Sequence, residues 1–222
     1  MIVAIDGPAG AGKSSVAKTV AKRLGFHYLD TGAMYRACAQ RALSLGVSLD
    51  DEDGVASIAT RDLIEFRYKP GEPLPTMVFI AGEDVTHAIR TPEVDAAVSK
   101  VAAMPKVRNA MVAQQRAVAT QGDCVVEGRD IGTTVFPDAE LKVFITAAPE
   151  IRAARRARQN VDRNVGSTYD EVYLAMLKRD AADSTREVAP LAMADDAILV
   201  DTSHMPFEEV VDYVLELVRG RR

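Results

Sequence analysis

The sequence predicts an α/β fold built on a central parallel sheet, and three observations carry that reading. Short apolar segments at Met1–Ile5, His27–Leu29, Cys124–Val126, Leu141–Ile145 and Ala197–Val200 each run into a turn or a helix start, as buried parallel strands do. Stretches with helical periodicity separate most of them. The first strand leads through a glycine-rich segment, Gly7–Gly12, straight into a helix, which is how a βαβ unit opens.

In chain order, Lys13–Leu24 reads as a helix with Val16, Val20 and Leu24 on one face and Gly25 as its stop. Helical patterning returns at Ala33–Leu45 before Gly46, at Asp51–Ala59, and at Lys106–Thr120 before Gly122. Pro92, Pro149 and Pro206 suit the first position of three more helices. Thr168 and Glu171 form a capping box for a helix running to about Ala182. One stretch breaks the alternation. Leu63–Lys69 and Thr76–Ala81 flank Pro70-Gly71-Glu72-Pro73 and read as an antiparallel ribbon, so residues 63 to 100 form an insertion. With no repeat, low-complexity tract or linker, the chain is expected to be a single domain over 1–222 carrying extra elements.

Composition narrows the function. The charge is −5 on 222 residues, from 27 Lys+Arg and 32 Asp+Glu, which disfavours binding to a nucleic-acid backbone. The longest apolar run, Val172–Leu177, is far too short to span a membrane. Asp6 interrupts the first apolar segment, which argues against a secretory signal. Cys38 and Cys124 can build neither a disulfide framework nor a four-ligand zinc site, and both read as buried small apolar residues. His27, His87 and His204 are scattered and suggest no metal site. The expectation is a cytoplasmic, monomeric protein with a small-molecule ligand, no nucleic-acid partner and no membrane association.

Gly7-Pro8-Ala9-Gly10-Ala11-Gly12-Lys13-Ser14 matches the phosphate-loop pattern G-x-x-x-x-G-K-[ST] in full, with a strand before it and a helix after it. The loop from Gly7 to Ser15 would cradle nucleotide phosphates with its backbone N–H groups, Pro8 having none to give, Lys13 would reach the β- and γ-phosphates, and Ser14 would ligate Mg²⁺. The guanine-reading N-K-x-D motif is absent, since Asn109, Asn160 and Asn164 are followed by Ala, Val and Val. A small-molecule kinase fits better than a GTPase switch or a larger mechanical ATPase.

Three clusters could serve an acceptor. Asp30-Thr31-Gly32-Ala33-Met34-Tyr35-Arg36 leaves a strand for a helix, and Glu127-Gly128-Arg129-Asp130 follows another strand, where ligands gather in open α/β sheets. Arg179, Asp183 and Arg186 are spaced to share one face of a helix. Plainer readings stay open: Thr31 as a helix cap, Gly128 as a turn, Arg179–Asp183 as a surface pair. Together, Arg36, Arg129, Arg179 and Arg186 suit an anionic acceptor.

The chain resembles the bacterial cytidylate kinases of the nucleoside monophosphate kinase superfamily over essentially its whole length. The resemblance is carried by I-D-G-P-A-G-A-G-K-S from Ile5, L-D-T-G-A-M-Y-R from Leu29, G-R-D-I-G-T from Gly128, V-F-P-D-A from Val135 and R-D-x-x-D-S-x-R-x-x-x-P-L from Arg179 to Leu191. It implies a P-loop three-layer fold, with a monophosphate-binding region at about 31–105 containing the ribbon. The implied reaction is ATP-dependent phosphorylation of CMP and dCMP. It also implies that Ser99, Arg108 and Asp130 contact cytosine with Thr31 beside the base, that Arg36, Arg129 and Arg186 hold the acceptor phosphate, and that Arg179 and Asp183 lie near the ribose. Tyr35 belongs to the same acceptor set.

Chemistry agrees with that placement. An ionised Asp130 only accepts and Arg108 only donates, which matches the N4 amino group and N3 of cytosine and leaves uracil mispaired. Two positions depart from the family pattern: Glu127 stands where many relatives have Asp, as an acidic partner to Mg²⁺ through water, and Thr31 replaces a frequent Ser.

Arg152, Arg155, Arg156, Arg158 and Arg163 crowd one stretch, and Arg152, Arg155 and Arg156 would share a helix face. They are read as a lid at about 151–168 that closes over the triphosphate, against a solvated basic helix or an RNA-binding patch as the plainer readings. Lys13, Arg129, Arg155 and Arg156 are the candidate catalytic residues. Competing functions are a P-loop kinase for UMP or shikimate, and a regulatory module that binds ATP without transferring phosphate.

Overall fold

A computed structural model describes residues 1–120, 122–162 and 166–221. The elements are β1 (Ile2–Asp6), α1 (Lys13–Leu24), β2 (His27–Asp30), α2 (Thr31–Ser44), α3 (Glu52–Arg61), β3 (Ile64–Tyr68), β4 (Pro75–Ile80), β5 (Glu83–Asp84), a 3₁₀ turn (Ala88–Arg90), α4 (Pro92–Ala103), α5 (Pro105–Ala119), β6 (Cys124–Glu127), a π turn (Ile131–Val135), β7 (Leu141–Thr146), α6 (Pro149–Asp162), α7 (Tyr169–Thr185), β8 (Ile198–Asp201) and α8 (Phe207–Arg219). This is the expected α/β architecture of parallel strands alternating with helices. The chain divides into two compact units, Met1–Ile2 with Ala21–Glu127, and Val3–Val20 with Gly128–Arg222.

In the first unit β2 pairs in parallel with β6, from His27 opposite Cys124 to Asp30 opposite Glu127. Tyr28, Leu29, Val125 and Val126 on these strands are buried, as parallel strands covered on both faces require. Helices α2 and α4 pack together, and α3 packs on α5. The predicted ribbon is present as antiparallel β3 and β4, and β5 extends it to three strands. Two residues, Ala81 and Gly82, join β4 to β5, both at positive φ (50° and 79°), the geometry of a type I′ hairpin turn. A two-residue strand has no periodicity to read, which is why β5 was not expected. The end of β3 and the loop after it fold back on β2: Tyr28 N donates to Pro73 O at 3.2 Å and the Tyr68 hydroxyl donates to Tyr28 O at 3.2 Å. These bonds occupy backbone groups that an edge strand otherwise exposes.

In the second unit β1, β7 and β8 pair in parallel in that order, with Val3 opposite Leu141 and Val143 opposite Ile198. Helix α8 packs on β7 and buries Val210, Val211, Val214, Leu215 and Val218 while Glu208, Glu209, Asp212 and Glu216 stay exposed. Each of those apolar side chains contributes about 1.5–3 kcal/mol on burial. Helices α6 and α7 pack together around Ala153, Val172 and Met176. The capping box of Thr168 and Glu171 starts α7 as predicted.

Three details differ from the sequence reading. Pro206 is the N-cap of α8 and not its first helical residue. Asp30, and not Thr31, caps α2, its carboxylate accepting from Ala33 N at 2.9 Å. Arg186 does not share a helical face with Arg179 and Asp183, because α7 ends at Thr185 and Arg186 is extended, with φ −62° and ψ 140°.

Candidate active site

The phosphate loop belongs to the second unit. Two of its glycines are demanded by space as well as by conformation. Gly7 has φ +140°, and a Cβ there would stand 1.9 Å from Ile145 O. Gly10 has φ +76°, and a Cβ would meet Met176 Cε at 2.8 Å and Arg152 Cβ at 3.1 Å. The loop carbonyls are engaged by side chains: Lys13 Nζ donates to Pro8 O at 2.7 Å, Arg152 Nη1 to Ala9 O at 3.2 Å, and Thr202 Oγ1 to Ala11 O at 3.1 Å. No acidic residue lies in the first turn of α1, so nothing there opposes an anion at the helix N-terminus. Lys13 is buried, while Ser14 and Ser15 are exposed.

Asp6, the last residue of β1, was not picked out as a site residue, yet it organises the segment that follows β6. Its carboxylate is 5% exposed and accepts from Ile131 N at 2.9 Å and Gly132 N at 2.7 Å. Burial pushes its pKa up to about 6, against the two amide donors, which pull it down; the negative charge of Asp130 adds to the rise and Lys13 offsets part of it. Gly128 N donates to Ile5 O at 3.0 Å, so the end of β1 carries both ends of the Gly128–Gly132 segment.

That segment meets the last turn of α7 and the residue that follows the helix through two ion pairs. Arg129 Nε lies 3.0 Å from Asp183 Oδ2, and Arg186 Nη2 lies 3.3 Å from Asp130 Oδ1. Asp130, Asp183 and the Arg186 side chain are buried, and charges in that setting need such partners. Leu191 N donates to Asp183 O at 2.8 Å, and Arg186 Nε donates to Ala189 O, with Ala189 at φ +50°. These bonds hold Arg186 after the helix has ended. Arg179 is half-buried on α7, one turn before Asp183.

The remaining predicted acceptor residues belong to the first unit. On α2, Arg36 Nη1 pairs with Asp95 of α4 and donates to Ile89 O at 3.3 Å. Ser99 is half-buried one turn further along α4. Arg108 of α5 is buried, donates to Ala102 O at 3.1 Å, and places its guanidinium carbon 5.5 Å from the centre of the Tyr35 ring. Thr31 is buried and donates to Glu127 O at 2.7 Å, and the Tyr28 hydroxyl donates to Glu127 Oε2 at 2.6 Å. Burial and the Glu127 charge raise the Tyr28 pKa well above the usual phenol range, keeping it a donor.

The lid arginines divide. Arg152 is buried against the phosphate loop. Arg155 of α6 donates to Thr202 Oγ1 at 2.9 Å and to Thr202 O at 2.7 Å. Arg156 is half-buried and Arg158 exposed. Arg163, and with it part of the stretch read as the lid, lies outside the described residues. Asp6, Tyr28, Asp180 and Thr202 were missed by sequence reasoning. Only Asp6 carried a signal, a carboxylate ending an apolar strand directly before the loop.

The model of the cytidylate kinases as a family matches residues 3–220. A cytidylate kinase of Geobacillus sp. (strain WCH70) is 50% identical over 219 residues, covering 99% of this chain and 96% of the relative. One from Carboxydothermus hydrogenoformans is 47% identical over 222 residues, covering 100% of this chain and 98% of the relative. The chain belongs to the cytidylate kinase family. The match extends through both units, so the antiparallel ribbon and the run after α7 are parts of a cytidylate kinase-family chain as much as the phosphate loop is. A solved structure of an uncharacterized protein from Eubacterium ventriosum aligns with a TM-score of 0.55 at 12% identity over 99% of both chains, a likeness of fold.

Proposed function

We propose that this protein is a (d)CMP kinase, transferring the γ-phosphoryl group of ATP to the phosphate of CMP or dCMP. The full-length match to cytidylate kinases carries the reading, and the phosphate loop supplies the donor chemistry the reaction needs. UMP, shikimate and a non-catalytic role are not favoured by it. An oxygen of the CMP phosphate attacks the γ-phosphorus in line, the bond to the ADP oxygen breaks, and CDP and ADP result. The attacking phosphate is already anionic at neutral pH, its second pKa being about 6, so no general base is required. Positioning and charge neutralisation are what the protein contributes.

In this reading Lys13 and the loop amides hold the β- and γ-phosphates. Ser14, which is exposed, would hold Mg²⁺ through its hydroxyl, with Glu127 proposed as an acidic partner through water; a hard cation of this kind takes few protein oxygens. When bound it neutralises phosphate charge. Arg36, Arg129 and Arg186 take the acceptor phosphate, Arg155 and Arg156 act at the transferred group, Arg179 and Asp183 face the ribose, and Thr31, Tyr35, Ser99, Arg108 and Asp130 recognise the base. The carboxylate partners already facing Arg129 and Arg186 hold those guanidinium groups in place before substrate arrives, which is the preorganisation electrostatic catalysis exploits. ATP and CMP are soluble metabolites, so we place the protein in the cytoplasm, and the reading needs no second chain.

ADP production measured side by side with CMP, dCMP, UMP, AMP and shikimate tests it. Turnover is expected to be highest with CMP and dCMP. Equal or better turnover with AMP would overturn the substrate, and ATP binding with no ADP from any acceptor would overturn the activity.

A further inference from the structure

Two peptide planes of the phosphate loop are gripped by side chains that the phosphate-loop pattern does not include. Arg152 of α6 is buried and donates through Nε to Ala147 O at 2.8 Å and through Nη1 to Ala9 O at 3.2 Å and to the carboxylate of Asp180 on α7. Thr202, 3% exposed just past β8, shares its hydroxyl proton between Ala11 O at 3.1 Å and Thr146 O at 3.0 Å, and accepts from Arg155 Nη1 at 2.9 Å.

The consequence follows from the planarity of the peptide bond. The Ala9–Gly10 and Ala11–Gly12 peptides are trans, so each C=O points opposite to the next N–H. Drawing Ala9 O toward Arg152 and Ala11 O toward Thr202 turns the N–H groups of Gly10 and Gly12 the other way, presenting them as donors on the side away from α6 and β8. Gly10 and Gly12 lie at φ +76° and +95° and lack side chains, so their own conformational preferences resist rotation of these planes only weakly. An anion-binding loop needs its amides aimed before the anion arrives.

We infer that Arg152 and Thr202 are positioning residues for the triphosphate of the donor nucleotide, acting through the Ala9–Gly10 and Ala11–Gly12 peptides and touching no substrate. Asp180 steers the Arg152 guanidinium, and Thr202 carries the second grip with Arg155 behind it, whose Nη1 also donates to Ala11 O at the longer distance of 3.4 Å. The inference rests on the reading of this loop as the ATP site. It separates Arg152 from the lid arginines with which it shares a helix.

Thr202→Val keeps the shape of the side chain and removes the hydroxyl, Thr202→Ser restores it, and Arg152→Lys keeps the charge opposite Asp180 while losing the forked geometry. ATP affinity is measured by calorimetry without CMP, and KM for ATP and for CMP by coupled assay, with unfolding curves confirming that each variant is folded. Thr202→Val and Arg152→Lys are each expected to weaken ATP binding about tenfold and raise KM for ATP alike, with KM for CMP within about twofold and Thr202→Ser near the parent. ATP affinity within about twofold of the parent in both variants, or equal rises in the two KM values, would overturn the inference. Should Thr202→Val fail to fold, Arg152→Lys decides by the same criterion. Because ATP binding is read without an acceptor, a parent protein that binds ATP but leaves CMP unphosphorylated would sink the proposed function while this effect persisted.

Discussion

Asp6→Asn removes a charge from a place where burial opposes it. The Asp6 carboxyl is 5% exposed and its pKa stands at about 6, against 3.8 for the unperturbed group. That difference of about two units corresponds to about 3 kcal/mol. The sign follows from which state holds the proton more tightly. Here the folded state does, so the contribution to stability is fully present below about pH 4 and is lost as pH rises through about 6. Asparagine carries no such dependence. It also offers only one acceptor oxygen to the Ile131 and Gly132 amides, a penalty of about 1–3 kcal/mol that is the same at every pH. The slope, and not the offset, is therefore the test. In urea unfolding of both proteins at about pH 4, 5, 6 and 7, the stability of the parent relative to Asp6→Asn should fall by about 2 kcal/mol across the series, most of the full difference. A difference that stays flat, or grows with pH, refutes the assignment of that pKa to burial at Asp6. Asp130→Asn, made in the parent background, should shallow the slope, because the Asp130 charge is one of the causes that raise Asp6.

Three further outcomes are expected. Lys13→Ala should cut phosphoryl transfer at least about a hundredfold while leaving the urea midpoint close to that of the parent; retained turnover would remove Lys13 from the donor site. Asp130→Ala should lower turnover of CMP about tenfold more than that of UMP, because it deletes the acceptor that matches the cytosine amino group, and equal losses would assign Asp130 to phosphate or metal. Gly7→Ala should destabilise the protein by about 3 kcal/mol or more in urea unfolding, since the new methyl would stand 1.9 Å from the Ile145 carbonyl oxygen at a φ of +140°; a midpoint unchanged from the parent would show that the loop can move aside.

The elements legible in the sequence are those whose ends are set by local chemistry. Lys13–Leu24 starts and stops where the reading put it, because a glycine-rich loop precedes it and Gly25, at φ +69°, ends it. The Thr168–Glu171 box names its own helix start, and the apolar segments flanked by turns are strands. Illegible elements depend on partners distant in the chain. The π turn at Ile131–Val135 follows Asp130, and the Asp6 carboxylate, which stands 125 residues away from Ile131 in the chain, accepts from its first two amides. Arg186 looks like the next member of a helical series until the Ala189 carbonyl and the Asp130 carboxylate take hold of its guanidinium beyond the end of α7.

The same distinction explains why the partner of an arginine is hard to read from its place in the chain. A guanidinium has five donors on a long stem and is satisfied equally by a phosphate, a carboxylate or a backbone carbonyl, so spacing along a helix says where the stem starts and nothing about what the head meets. Arg152, Arg155 and Arg156 are neighbours on α6, yet Arg152 holds Ala9 and Asp180 while Arg155 holds Thr202. An ionised carboxylate has fewer options when buried: it needs donors, and in a strand whose own amides are committed to the sheet those donors must come from another segment. Asp6 meets that condition on sequence alone, since five apolar residues precede it and a loop of glycines follows. A buried acid at a strand end is therefore the more reliable pointer to an organised loop, and here it leads from β1 to the Gly128–Gly132 segment that bears Arg129 and Asp130.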